Sequence, residues 1–74
     1  MVPENWTANV RAYPVVFESD CIMEIADDAE AHAFAVSVIT TSGLLEHVCD
    51  CSLRGDALLV SAALHSFISA RSAI

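Results

Sequence analysis

His47, Cys49 and Cys51 are the residues of this 74-residue chain whose types and spacing come nearest to chemistry. In an extended segment all three project the same way, and zinc takes thiolate and imidazole ligands. Cys21, on a neighbouring strand, is the candidate fourth ligand. The spacing differs from that of a zinc finger or ribbon, whose paired cysteines flank a turn. These positions also continue the apolar register of Leu45 and Leu53, and cysteine is among the most buried residue types. Core packing is therefore the expectation, with no metal and no cofactor; a zinc or thiol site at His47, Cys49 and Cys51 is the second alternative. A nucleophilic Cys49 paired with His47 or His65 needs an electropositive pocket, which so acidic a chain does not offer. Cys49 and Cys51 lie about 6.7 Å apart when extended, at the edge of what a disulfide spans. His32 and His65 sit among apolar residues and read as structural. Gly43 and Gly55 are too few for a phosphate-cradling loop. No enzyme activity is expected.

The second chemical feature is a set of carboxylates. Glu18, Asp20 and Glu24 share even parity in residues 13–25, and Glu46 and Asp50 share it in residues 44–53. Side chains alternate faces along a strand, so this parity predicts a sheet with one acidic face. Val16, Ile22 and Val48 fall on the same parity. An acidic face with an apolar admixture suits an interface better than bare solubilisation. These five acids are the candidate protein-binding residues. Asp27, Asp28 and Glu30 superficially resemble a calcium loop but lack the spacing and glycine of an EF-hand; a helix start explains them.

The elements that would position these groups follow from periodicity. Residues 1–12 show little of it and read as an N-terminal arm, docked through Trp6. Residues 13–26 have period two and read as a strand or hairpin, with Val15, Phe17, Cys21, Met23 and Ile25 facing the core. A two-residue turn at Ser19-Asp20 would pair Phe17 with Ile22 and mix the faces, so a break that preserves parity is favoured. Asp27 and Glu30 form a capping box for a helix over residues 27–42, with Ala31, Phe34, Ala35, Val38 and Ile39 at helical spacing and Gly43 as terminator. Residues 44–53 return to period two. Asp56 caps a second helix over residues 56–72, whose core stripe is Val60, Leu64, Phe67 and Ile68. Its opposite face carries Ser61, His65, Ser69 and Ser72. The predicted fold is a single α+β domain, order β(β)αβα, with a small two- or three-stranded sheet and both helices on one face.

Composition narrows the partner. The chain is 55% apolar and 18% charged, with ten carboxylates, three arginines and no lysine, a formal net charge of −7. Such a balance repels nucleic acid and anionic membranes, and favours a protein partner with a basic surface. The uncharged runs 31–45 and 57–70 are too short to span a membrane. Three cysteines and no apolar leader in the first residues predict a reduced, cytoplasmic setting. The sequon Asn5-Trp6-Thr7 is then incidental. Through residues 21–25, the Asp27-capped segment up to Gly43, and residues 44–53, with its small size, acidity and lack of lysine, the chain resembles the small phage-encoded inhibitors of the anti-CRISPR type. That resemblance implies a non-enzymatic inhibitor that engages a nucleic-acid-binding complex, and carries over no individual residue. The first alternative is a small structural or assembly subunit that homo-oligomerises through the serine-rich face of its C-terminal helix.

Overall fold

The structure, a computed structural model of the chain, describes residues 2–72. Its strands are β1 (Trp6–Glu18), β2 (Cys21–Glu24), β3 (Ala33–Thr40) and β4 (Leu45–Cys51), followed by one helix, α1 (Arg54–Ser72). The strands form one antiparallel sheet in the order β2-β1-β3-β4, and α1 packs chiefly along β1. The predicted sheet with two helices on one face, order β(β)αβα, is thus corrected to β-β-β-β-α.

The largest departure lies in residues 27–42. Asp27 does cap, accepting from the Ala29 amide at 2.9 Å, but it caps only a single 3-10 turn, Asp28–Glu30. The segment beyond it becomes β3, the strand paired on both sides by β1 and β4. Val36, Val38, Ile39 and Thr40 are β-branched and stiff at χ1, which disfavours helix and suits a pleated surface. Because β3 is central, Ala33, Ala35 and Ser37 on one face and Val36, Val38 and Thr40 on the other are all buried. Burial on both faces erases period-two alternation, leaving an apolar run whose spacing also fits a helix. Gly43, at φ 86°, closes a short β3–β4 loop rather than a helix, with its amide bonded to the Thr40 carbonyl at 2.9 Å.

The expected N-terminal arm is the first half of β1. Trp6 pairs with Thr40 and Val10 with Val38, so two extra residues bulge out between them. Thr7 holds that bulge, its hydroxyl donating to the Ile39 carbonyl at 2.6 Å. Sequence alternation is lost there because the bulge resets the register.

β1 and β2 are joined by the two-residue turn Ser19-Asp20, since Glu18 pairs with Cys21 and Phe17 with Ile22. The parity-preserving break is therefore overturned. Ser19 takes φ 48°, a left-handed conformation that costs an L-residue about 1–2 kcal/mol. Ser19→Gly is expected to raise unfolding free energy by about 0.5–1 kcal/mol in urea titration, less than the full strain because glycine loses more entropy on folding.

α1 covers the face of the sheet that carries Val36 and Val38. Ala57 and Ile68 are its fully buried side chains, with Val60, Ser61 and Leu64 half-buried between them. The helix is rotated from the predicted stripe: Phe67 is 55% exposed. Part of the serine-rich face is turned inward instead. His65 Nδ1 lies 2.7 Å from the Ala8 carbonyl, and the Ser61 hydroxyl is buried with no partner among the described residues. Arg71 clamps the N-terminal segment, donating to the Pro3 carbonyl at 3.0 Å and the Trp6 carbonyl at 2.9 Å. Among the described residues no helix is long and apolar enough to cross a membrane.

Candidate interaction surface

Cross-strand partners share a face, so the register decides where each candidate residue sits. Glu24 pairs with Val15, and Asp50 with Ala35, which places both on the face opposite α1. Glu18 pairs with Cys21 and Glu46 with Val38, on the helix-bearing face. Asp20 lies in the turn. The five carboxylates of one sequence parity therefore divide between two faces and a tip. The Ser19-Asp20 turn reverses the parity of β2 relative to β1. A second irregularity, between the Val36↔Cys49 and Ser37↔His47 pairs, reverses it inside β4.

That irregularity also takes the thiol and imidazole groups apart. Cys49 and Cys51 stay on the helix-bearing face, while His47 turns to the other and meets Asp50, Nε2 to Oδ1, at 2.9 Å. Cys21 lies on β2, three strand spacings away, or roughly 14 Å across the sheet. The four candidate ligands do not converge. Burial, then the neighbouring Cys51 and Asp50, pushes the Cys49 thiol above its usual pKa. The folded chain holds that proton more tightly than the unfolded chain does. This contribution to stability is complete below the ordinary thiol pKa and is lost as pH rises through the folded value. In alkylation followed by mass spectrometry, exposed Cys21 should react first and Cys49 last, and denaturant should abolish the order.

The face opposite α1 is polar and internally paired. Tyr13 crosses it to bond Ser37, hydroxyl to hydroxyl, at 2.8 Å. Arg11 lies over the Tyr13 ring at 5.1 Å and reaches Glu24 at 3.4 Å. Val15, Ala33 and Ala35 pack beneath Tyr13. On the other face the Trp6 indole donates to Glu46. Glu24, Glu46 and Asp50 are thus each engaged within the chain.

The charge collects at one end instead. Residues 18–30 contain six of the ten carboxylates, Glu18, Asp20, Glu24, Asp27, Asp28 and Glu30. Two have cationic partners, Glu24 with Arg11 and Asp28 with Arg54 at 2.8 Å. Glu18, Asp20, Asp27 and Glu30 form no ion pair among the described residues. Within this acidic end Phe17, Ile22 and Met23 are about half-exposed. Phe17 and Ile22 are cross-strand partners, and the Phe17 ring lies 5.9 Å from His32. Sequence reasoning assigned Phe17 and Met23 to a core face and the acids of residues 27–30 to a helix start. The density of acids along residues 18–30 was the signal available for this end.

No protein-family model matches the chain, and no curated protein or solved structure is significantly similar to it. The functional reading accordingly rests on the surface itself.

Proposed function

We propose that the chain is a non-enzymatic, acidic protein-binding module whose working surface is the β1–β2 hairpin with the turn that follows it. One observation carries the reading: apolar Phe17, Ile22 and Met23 stand half-exposed in the segment that concentrates carboxylates with no ion pair among the described residues. Apolar side chains supply contact area, and the surrounding acids steer a basic partner and reject acidic ones. A half-exposed Phe–Ile pair on a hairpin contributes little to the fold of the chain, and a complementary pocket would gain its burial.

The partner chemistry that fits is a basic protein surface with an apolar recess, of the kind that nucleic-acid-binding complexes offer. In its concrete form the proposal is an inhibitor of such a complex, similar in mode to the small phage-encoded inhibitors, acting in the cytoplasm. Direct binding of nucleic acid or of an anionic membrane is disfavoured by a net charge of −7.

Affinity capture from a lysate of the source cells tests it. Protein captured by the native chain should be lost both at raised salt and when Glu18 and Asp20 are reversed. Capture that survives both changes would sink the electrostatic reading. A Phe17→Ser variant, with the acids intact, separates the apolar contribution from the charged one.

A further inference from the structure

We infer that the outer face of α1 is a self-association surface on which a second copy of the chain docks antiparallel about a two-fold axis near Ala63. Three observations lead there.

The first is the make-up of that face. Leu59 and Phe67 are 71% and 55% exposed, and Ala62, Ala63, Ser66 and Ala70 are exposed around them. A helix face turned to water ordinarily carries charge. Between Asp56 and Arg71 this one has no Asp, Glu, Lys or Arg.

The second is charge across the whole molecule. Copies carrying −7 each repel wherever acidic surfaces approach. The hairpin end presents Glu18, Asp20, Asp27 and Glu30, which form no ion pair among the described residues, and the face opposite α1 is occupied by Glu24 and Asp50, already held by Arg11 and His47. The outer face of α1 lets two like-charged copies meet without bringing carboxylates together. A basic partner, by contrast, finds no acid there.

The third is spacing. Leu59, Ala63 and Phe67 lie four residues apart on one ridge, symmetric about Ala63. An antiparallel two-fold at Ala63 sets Leu59 of each copy against Phe67 of the other, in the self-complementary manner of an isologous contact. The small residues at the centre allow close approach. Beside Phe67 runs an open groove of about 390 Å³, lined also by Val2, Val60, Ala63 and Leu64. Leu59 of the second copy is the side chain placed to enter it.

Area sets the strength. Half the lateral surface of a 19-residue helix is at most about 600 Å² per copy, or about 1,200 Å² in total, the lower bound for a specific interface. The association is accordingly weak and concentration-dependent. It is independent of the hairpin surface, so either proposal can fail without the other.

Sedimentation velocity of the full chain from about 1 μM to about 1 mM tests it, where micromolar to near-millimolar dissociation constants would register. The native chain should pass from monomer to dimer across that range. Leu59→Glu and Phe67→Lys should each weaken the dimer about tenfold or more, with circular dichroism unchanged because both positions face outward. Mixing the two variants should restore a dimer, since the introduced carboxylate would then face the introduced ammonium while the second Leu–Phe contact stays native. A chain that remains monomeric throughout overturns the proposal and leaves the face to an unlike partner or to none. A dimer that survives both substitutions also overturns it, and assigns association to another surface such as a sheet edge.

Discussion

Ile68→Ala is expected to destabilise the chain by about 2–5 kcal/mol, whereas Phe67→Ala, one residue away, should cost less than about 1 kcal/mol. Ile68 is 1% exposed under α1, so truncation removes buried surface and leaves a cavity that a sheet cannot easily collapse to fill. Small domains have about 5–15 kcal/mol of stability in all, and this chain is near the lower size limit for a self-sufficient core. Ile68→Ala should therefore lower the melting temperature by at least about 10 °C, or leave the chain partly unfolded at about 25 °C. Thermal and urea unfolding at low micromolar concentration, where self-association contributes least, check both variants. Equal costs at the two positions would mean that α1 is rotated about its axis relative to the arrangement described.

The second large effect concerns the partner. Glu18→Lys combined with Asp20→Lys changes the local charge by four units on side chains that form no ion pair among the described residues. Loss of close complementary charge at an interface costs several kcal/mol when the contact is desolvated, so partner affinity should fall by roughly 100-fold. The fold should tolerate the change, because both positions flank or form an exposed turn. Glu46→Lys is the informative control. Glu46 lies on β4, beyond β3 from the hairpin, where its carboxylate accepts from the Trp6 indole of β1, and its reversal should disturb that contact while sparing partner binding. Titration of the captured partner against each variant separates the outcomes. If Glu46→Lys proved as damaging as the hairpin variant, the binding surface would have to extend across the sheet.

How far the sequence carried these conclusions depends on which signals are local. The last helix is legible: the apolar recurrence and the absence of Gly or Pro after residue 55 lie within a few turns, although α1 spans Arg54–Ser72 and Asp56 sits in its first turn rather than at its cap. Its rotation is less legible. Leu64, Phe67 and Ile68 are all apolar, and only packing along β1 decides that Ile68 goes inside, Phe67 stays half-exposed and His65 meets the Ala8 carbonyl. The period-two stretches around β2 and β4 are visible in the same way, since alternation needs only neighbours in sequence.

The carboxylate surface shows where locality ends. Parity along the chain assigns a face only while a strand is unbroken, and each irregular residue reverses it. The tight Ser19-Asp20 turn and the irregularity near Val48 both do so, which scatters Glu18, Glu24, Glu46 and Asp50 over two faces and parts His47 from Cys49 and Cys51. Neither event has a strong local mark, because Ser-Asp is a weak turn signal and Val48 is an ordinary strand residue.

By itself the sequence determined the acidity of the chain, the crowding of carboxylates in residues 18–30, the C-terminal helix and the period-two strand character around β2 and β4. Those properties are sums or short-range patterns, fixed by residue type and spacing alone. Only the tertiary structure decided that residues 33–40 form the central strand rather than a helix. A segment apolar on all sides fits both periods, and what selects between them is the partners it finds, here β1 on one flank and β4 on the other. The same long-range pairing recruited residues 6–12 from apparent arm to strand, and turned one expected acidic face into an acidic hairpin end, with a helix elsewhere on the molecule that is free of charge between Asp56 and Arg71.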